Sequence, residues 1–217
     1  MIEIVNLCKH YDMRGGRTIV ADNINATFPS GKAVALLGRN GAGKSSLLNM
    51  IAGSMSPSSG EIRITGTMSW PVGFSGSFHP DLTGAQNTSF IARVYGVDTR
   101  ELREYVLDFS ELGQHFNNPV RSYSSGMRSR LAFGISMGIQ FDTYLVDEVT
   151  SVGDAAFRRK SREVFLDRMK TSGAIMVSHN LNMISTMCDQ AAILENGKLT
   201  YYEDVEEAIA VHQEQMA

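Results

Sequence analysis

The residues best suited to chemistry lie between Gly38 and Ser45, where the chain reads Gly-Arg-Asn-Gly-Ala-Gly-Lys-Ser. This run matches the phosphate-loop pattern of a glycine, four variable residues, and then Gly-Lys-Ser or Gly-Lys-Thr. Glycines let backbone N–H groups approach a phosphate closely, and Lys44 would reach the terminal phosphates as a catalytic point charge. The Ser45 hydroxyl would hold Mg²⁺. The predicted phosphate-binding residues are Gly38, Arg39, Asn40, Gly41, Ala42, Gly43, Lys44, Ser45 and Ser46.

The flanks of this loop match the context that the pattern requires. Residues 33–37 form a short apolar run, which is typical of a buried strand. Residues 46–52 carry apolar side chains at helical spacing and stop at Gly53. A glycine-rich turn that matches by chance is the alternative, and the flanks disfavour it. We therefore predict that the chain binds a nucleoside triphosphate.

A pair of acidic residues ends a second apolar run, residues 144–148. In phosphate-loop enzymes, an aspartate at such a strand end holds Mg²⁺, and Asp147 would do so here. Glu148 beside it could act as a general base on a water that attacks the γ-phosphate. The alternative is that both acids cap the next turn. The upstream phosphate loop favours the functional interpretation.

His179 follows a third apolar run, residues 173–178. If its strand is parallel to the strand of Asp147, it lies at the carboxyl edge of the sheet, where open α/β sheets bind ligands. We therefore predict a catalytic role for His179. A packed or solvated histidine is the alternative.

The run from Ser122 to Arg130 places small residues at the start of a helix. Such a start can bind an anion through its N–H groups and a hydroxyl. An ordinary N-cap loop is the alternative, since serine favours that position. The spacing alone does not separate the two.

The elements that must position these residues alternate between strands and helices, which predicts a parallel α/β core. Residues 2–28 indicate two antiparallel strands with a turn at 14–17, placed ahead of the core. Residues 57–60 indicate a loop, and residues 67–80 have no clear period. Residues 82–137 are mostly helical and predict a subdomain inserted between two core strands, within a single domain of residues 1–217. The two predicted helical faces comprise Phe90, Ile91, Val94 and Tyr95, and then Leu102, Tyr105, Val106 and Phe109.

The composition limits the possible partners. The 217 residues are 43% hydrophobic and carry a net charge of -3, so nucleic acid and anionic membrane surfaces are not expected partners. No run approaches the length that crosses a bilayer, and no export signal opens the chain. Cys8 and Cys188 fit no metal spacing and are expected to be free thiols in a reducing cytoplasm.

Taken together, these residues resemble the nucleotide-binding subunit of an ATP-binding-cassette (ABC) transporter over nearly the whole chain. The resemblance implies a P-loop NTPase core with an N-terminal antiparallel β subdomain and an inserted α-helical signature subdomain, which is the ABC ATPase fold. It also implies a head-to-tail homodimer with ATP and Mg²⁺ at its interface. The implied motif residues are Walker A (38–45), Walker B (144–148), signature residues Ser124 and Gly126 acting in trans, D-loop residue Asp154, switch residue His179, and Tyr11 stacking on adenine.

Four positions depart from the family pattern. Tyr123, Ser125 and Met127 replace the leucine, first glycine and glutamine of the signature, and Phe74 stands at the register of the Q-loop glutamine. Ser125 adds a side chain where the backbone would meet the γ-phosphate.

The departures resemble the polysaccharide-export branch of the family, and within it the capsular exporters of Gram-negative bacteria. The matching segments are 69–78, 82–84, 95–97, 123–127 and 151–154. This resemblance implies an ATPase that energises export through a separate membrane permease and a wider export machinery, bound peripherally at the cytoplasmic face of the inner membrane.

The same resemblance implies that Trp70, Phe74 and Phe78 dock the permease, and the alternative is that they pack two subdomains together. Three alternative functions stay open: export of another substrate, a regulatory nucleotide-binding module with low turnover, and a cassette ATPase acting on nucleic acid or ribosomes.

Overall fold

The computed structural model describes residues 1–13, 16–73, 76, 78–147 and 154–216. In chain order, the strands and α-helices within these ranges are β1 (Ile2–Met13), β2 (Gly16–Phe28), β3 (Ala33–Leu37), α1 (Lys44–Ile51), β4 (Ser59–Ile64), β5 (Met68–Pro71), α2 (Gly84–Tyr95), α3 (Thr99–Ser110), α4 (Ser125–Gly138), β6 (Thr143–Asp147), α5 (Ala155–Met169), β7 (Gly173–Val177), α6 (Leu181–Met187), β8 (Gln190–Glu195), β9 (Lys198–Tyr202) and α7 (Val205–Met216). Two short 3₁₀ helices, Gly113–Asn117 and Val120–Ser122, precede α4.

The chain divides into two compact units. The first is formed by Met1–Ser69, Phe141–Glu148 and Thr171–Ala217, and the second by Trp70–Gln140 and Val149–Lys170. The predicted helical segment 82–137 falls inside the second unit, together with α5.

An antiparallel sheet of three strands, in the order β2-β1-β4, forms part of the first unit. The predicted antiparallel pair is confirmed, although residues 14 and 15 of its turn lie outside the described residues. The prediction of a loop at 57–60 is wrong for Ser59 and Gly60, which begin β4. Ser59 pairs with Cys8 of β1, and a Cβ at Gly60 would lie 2.3 Å from the carbonyl oxygen of Asn6. This close approach between strands requires glycine, so a residue that looks like a turn signal serves pairing instead.

A second sheet has the strand order β5-β6-β7-β3-β8-β9. Strand β3 runs parallel to β7 and β8, and β6 runs parallel to β7. Every residue of β3 and β7 is buried, as expected for strands covered on both faces. The predicted parallel α/β core is therefore confirmed.

Strand β5 was not predicted, because four residues at a sheet edge are too few to show a period. The residues directly before β5 and β6, Thr67 and Asp142, are joined by long-range hydrogen bonds. The Asp142 carboxylate accepts hydrogen bonds from the backbone N–H and the hydroxyl of Thr67, at 2.7 and 2.9 Å, and the Thr67 hydroxyl accepts one from the Asp142 N–H at 3.0 Å. The Thr67 N–H, as the strongest influence, lowers the pKa of Asp142. We call this pair of residues the Thr67–Asp142 clamp.

The helices of the second unit begin at side chains that cap them. Thr83 and Gln86 form a capping box at α2, and Asp98 accepts hydrogen bonds from two N–H groups of α3. Ser124 and Asp154 occupy the same position before α4 and α5. These caps fix where each helix starts.

The two predicted helical faces behave differently. Leu102, Val106 and Phe109 of α3 are buried, and Phe109 stacks on Phe133 of α4 with ring centroids 5.7 Å apart. On α2, by contrast, Phe90 and Val94 are 60% and 61% exposed. Ile91 of the same predicted face is buried, together with the small residues Gly84, Ala85 and Ala92, so the buried side of α2 contains only part of that face.

Both cysteines are free thiols, as predicted. Cys8 is half-buried and Cys188 is buried. Burial, with the nearby Asp189 carboxylate as a smaller cause, raises the pKa of Cys188 to about 12. Its thiol is therefore protonated and unreactive at neutral pH.

Candidate functional site

The phosphate loop joins β3 to α1 and closes around the side chain of Lys44. Its ammonium group donates hydrogen bonds to the carbonyl oxygens of Gly38 and Arg39, at 2.6 and 2.9 Å. The N–H of Ala42 donates back to the Arg39 carbonyl at 3.1 Å. Gly43 stands before α1 with φ +101°, a conformation that favours glycine. The backbone of the loop thus surrounds the Lys44 ammonium group, and its N–H groups can bind an anion.

Gly38 is required by a close approach as well as by its backbone angle. Its φ is +146°, and a Cβ there would lie 2.4 Å from the carbonyl oxygen of Leu194 on β8. This backbone atom has no freedom to move aside. The start of the loop is therefore held against the sheet.

We expect Gly38→Ala to cost roughly 3 kcal/mol or more of stability, because strain in φ adds to a backbone overlap. Urea unfolding would measure this cost. Gly53→Ala is the matched control, since Gly53 also has positive φ (+73°) but its Cβ would meet open space. We expect the control to cost only about 1 kcal/mol. Equal losses in the two variants would contradict the role of the Leu194 contact.

A cavity of about 510 Å³ opens over this loop, within the usual size range of ligand sites. The described residues that line it are Val20, Asn40, Gly41, Gly43, Lys44, Ser45, Ser46, Asp147, Val177 and His179. The structure therefore brings three separate sequence signals into one site: the phosphate loop, Asp147 and His179. Gly38, Arg39 and Ala42 belong to the same loop but are not among the described lining residues.

Asp147 and His179 meet because of the register between β6 and β7. Asp147 ends β6 and pairs with Val177, the last residue of β7, two positions before His179. Parallel strands end at the same sheet edge, so both side chains line the cavity. Ser45 and Asp147 add a hydroxyl and a carboxylate oxygen, the ligands that Mg²⁺ prefers, so the lining fits a Mg²⁺–nucleotide complex.

The sequence analysis predicted no role for Val20, although it lines the nucleotide cavity. A Cβ at Gly43 would lie 2.4 Å from Cγ1 of Val20, so this β2 side chain packs directly on the loop. An apolar residue in a strand carries no local signal of such a role. Glu148 and Phe74, in contrast, lie outside the described residues.

Tyr11 lies on β1 and is 38% exposed. Its hydroxyl donates a hydrogen bond to the sulfur of Met55 at 3.2 Å, and the ammonium group of Lys9 lies 5.1 Å from its ring centroid. Tyr11 is not among the described residues that line the cavity. Its assignment to adenine stacking remains a prediction.

The other predicted residues lie together in the second unit. Ser124 Oγ caps α4 by accepting the Met127 N–H at 3.2 Å. The cap uses this oxygen as an acceptor, so its O–H can still donate to an anion, and the two interpretations of this serine are compatible. A cavity of about 530 Å³ is lined there by Glu111, Leu112, His115, Ser124, Gly126, Met127, Arg130 and Asp154.

Arg130 organises this second cavity, although no role was predicted for it. Its guanidinium donates to Asp154 at 2.7 Å and to Glu111 at 3.3 Å, and lies 4.5 Å from the ring centroid of Phe157. The pKa of Asp154 is lowered, mainly by the hydrogen bond from the Phe157 N–H and to a smaller extent by the charge of Arg130. Arg130 thus connects the signature helix α4 to the residue that begins α5.

We expect Arg130→Ala to lower the free energy of unfolding by about 1–2 kcal/mol, because it removes a cation–π contact and two ion pairs from a side chain that is only 19% exposed. Chemical denaturation would measure the loss. Arg121→Ala is the control, since its pair with Asp81 is exposed and should contribute about 0.5 kcal/mol or less. A loss no larger than that of the control would contradict the organising role.

Comparison with known proteins gives consistent matches. The sequence model described as ABC transporter matches residues 21–151. The polysialic acid transport ATP-binding protein KpsT of Escherichia coli is 50% identical over 212 residues, covering 96% of this chain and 95% of the relative. The ATP-binding protein BexA of Haemophilus influenzae is 42% identical and covers 99% of both chains. The capsule polysaccharide export ATP-binding protein CtrD of Neisseria meningitidis is 42% identical and covers 96% of both.

Two solved structures share the fold. A dimeric post-hydrolysis state of the ATP-binding cassette MJ0796, bound to ADP and Pi, has a TM-score of 0.78 at 21% identity and covers 94% of this chain and 99% of its own. An ATP binding subunit of an ABC transporter has a TM-score of 0.81 at 22% identity and covers 98% and 94%. At this level of identity the likeness concerns the fold alone.

Proposed function

The chain belongs to the ABC transporter family, and on that premise we propose that it is the ATP-hydrolysing subunit of an exporter for a capsular or related cell-surface polysaccharide. It is an ATPase coupled to transport. The observation that carries the proposal is the single cavity that gathers the phosphate loop, Asp147 and His179. Full-length relatives named for polysialic acid and capsule export supply the substrate class.

In this proposal the phosphates of ATP occupy the loop. Lys44 exchanges its two carbonyl partners for phosphate oxygens, and the loop N–H groups hold the β-phosphate. Ser45 and Asp147 hold Mg²⁺, which when bound neutralises charge on the phosphate oxygens. Glu148 takes a proton from the attacking water, and His179, exposed at the same sheet edge, contacts the γ-phosphate. Tyr11 stacks on the adenine ring.

A second copy of the chain completes the site. Ser124, Gly126 and Asp154 lie in one cavity of the second unit, with the Ser124 hydroxyl still able to donate. In a head-to-tail dimer they face the ATP of the opposite copy, so ATP binding closes the pair and hydrolysis reopens it.

The partner in the membrane is a separate permease, which places the chain at the cytoplasmic face of the inner membrane as part of a wider export machinery. Throughout the ranges that the structure describes, no helix has the length and apolarity to span a bilayer. The rings of Trp70 and Tyr95 contact each other at a tilt of 52°, with centroids 5.1 Å apart, and Phe90 and Val94 lie exposed on the same helix as Tyr95. An exposed aromatic surface of this kind suits a partner helix.

The export function is tested in cells that lack their own capsule-export ATPase, by measuring surface polysaccharide with the wild-type chain restored. Single-turnover hydrolysis by the purified chain separates a motor from a regulatory module with low turnover. If the restored chain hydrolyses ATP but no polysaccharide reaches the surface, export of another substrate becomes the better proposal.

For the docking surface, we expect Trp70→Ala and Phe90→Ala to reduce recovery of the chain with the membrane fraction at least about tenfold, since buried aromatic anchors dominate such interfaces. Hydrolysis by the purified variants should stay near wild type. Leu107→Ala is the control, because Leu107 is also exposed but lies on α3. Unchanged membrane recovery in both aromatic variants would refute the docking surface.

A further inference from the structure

Another cavity, distinct from the one around Arg130, borders the phosphate loop on the side of helix α7. It encloses about 440 Å³, and the described residues that line it all belong to the first unit. They are Leu36, Leu37, Gly38, Lys44, Ser178, His179, Leu181, His212, Gln213 and Met216. Lys44 and His179 also line the nucleotide cavity, so the two cavities adjoin at the side chains next to the terminal phosphate.

His212 is the most informative residue of this cavity. Its Nδ1 atom is buried, and among the described residues it has no hydrogen-bond partner. A buried polar atom without a partner is unusual in a folded protein and points to an unseen ligand or water. None of the motifs described above uses this histidine.

The chemistry of the lining selects the type of ligand. Lys44 supplies a fixed positive charge, and His212, Gln213 and Ser178 supply groups that can donate hydrogen bonds. Among the described lining residues none is acidic, so a metal cation would find no carboxylate ligand in this lining. A small oxyanion, in contrast, could accept hydrogen bonds both from Lys44 and from the imidazole whose nitrogen has no partner.

The electrostatics around His212 agree with this geometry. Burial, and then the Lys44 charge, lower the pKa of His212, while the Glu195 carboxylate acts in the opposite direction. Burial and the Lys44 charge thus both disfavour the protonated imidazole, and an anion placed between His212 and Lys44 would offset the repulsion.

We propose that this cavity binds inorganic phosphate, with His212 and Lys44 as its principal ligands, and that the phosphate is the product of hydrolysis in the adjoining site. This inference rests on the proposed function. Hydrolysis joins the water oxygen to the γ-phosphorus and breaks its bond to the β–γ bridging oxygen, so ADP and phosphate form without any further reactant. The phosphate would then move past Lys44 and His179, which line both cavities, into the cavity beside α7.

The test uses the full chain with Mg²⁺ and saturating ADP, and follows the imidazole nitrogens of His212 by NMR while inorganic phosphate is added. The His212 resonances, assigned by their loss in His212→Ala, should shift and saturate. Sulfate, a tetrahedral oxyanion that does not titrate near neutral pH, should shift them in the same direction. The inhibition constant of phosphate in the hydrolysis assay should rise at least about tenfold in His212→Ala, the usual effect of losing a hydrogen bond to a charged group.

Two further variants protect the interpretation. Gln215→Ala, on an exposed position of the same helix, should leave phosphate inhibition unchanged. His212→Gln keeps a hydrogen-bonding group and should recover part of the affinity. Equal phosphate inhibition in wild type and His212→Ala would overturn the inference.

The remaining outcomes separate this inference from the proposed function. ADP binding without any response of His212 to phosphate would overturn the inference alone. A shift of His212 with a non-hydrolysable ATP analogue, before phosphate is added, would assign the residue to the γ-phosphate and overturn the product site. Failure of the wild-type chain to bind ADP would overturn the proposed function and this inference with it.

Discussion

Replacing Lys44 by alanine is expected to lower the rate of ATP hydrolysis at least about 100-fold, the usual effect of removing one group that stabilises the transition state. The Lys44 ammonium is held in the loop by two carbonyl oxygens, of Gly38 and Arg39. No other described residue that lines the nucleotide cavity carries a fixed positive charge. The charge that develops on the transferred phosphoryl group would therefore lose its direct partner.

Steady-state hydrolysis and nucleotide affinity should be measured together for this variant. Lys32→Ala is the matched control, because Lys32 is exposed directly before β3 and is not among the described residues that line either cavity next to the loop. Circular dichroism should show the same fold for both variants. Hydrolysis by Lys44→Ala at a rate near that of Lys32→Ala would remove the phosphate loop from the mechanism.

Replacing Glu148 by glutamine is expected to slow hydrolysis by about 100- to 10,000-fold, the range typical of a lost general base. The substitution keeps the shape of the side chain but removes the carboxylate that accepts the proton of water. Strand β6 brings Asp147 to the cavity, and Glu148 is the next residue along the chain. ATP binding should survive, so the variant should accumulate as a dimer with ATP trapped at its interface.

Size-exclusion chromatography with light scattering, run with and without ATP, would detect this dimer. Glu207→Gln removes a carboxylate from an exposed position of α7 and serves as the control. Rapid hydrolysis by Glu148→Gln would exclude Glu148 as the base. If the wild-type chain itself binds ATP but does not hydrolyse it alone, hydrolysis measured with the membrane fraction added would separate a motor that requires its membrane partner from a regulatory module with low turnover.

Local signals in the sequence predicted the elements that carry the nucleotide site. The phosphate loop was predicted because its pattern, the preceding apolar strand and the following helix are contiguous. Helix α6 also begins at a local signal, because the side chain of Asn180 caps it by accepting the Met183 N–H. Asp147 and His179 were grouped correctly because parallel strands end at one sheet edge.

Features that depend on long-range contacts could not be predicted in this way. Strand β5 exists through its pairing with β6, and Ser59 belongs to β4 through its pairing with β1. His212 lies in a tail helix, and its sequence gives no indication that α7 packs beside the phosphate loop. Arg130 was visible within the signature run, but its partners Glu111 and Asp154 come from distant segments.

The Thr67–Asp142 clamp also has a consequence for the order of folding. It joins residues 75 positions apart. In an unstructured chain, closing a loop of this length would cost about 4 kcal/mol of free energy through lost chain entropy. Contacts of α3 with α2 and with α4 are local in sequence and shorten the distance that the loop must span. We therefore expect these helices to form before β5 pairs with β6. During refolding, the β5 edge of the larger sheet should then be the last part of that sheet to gain protection from hydrogen exchange.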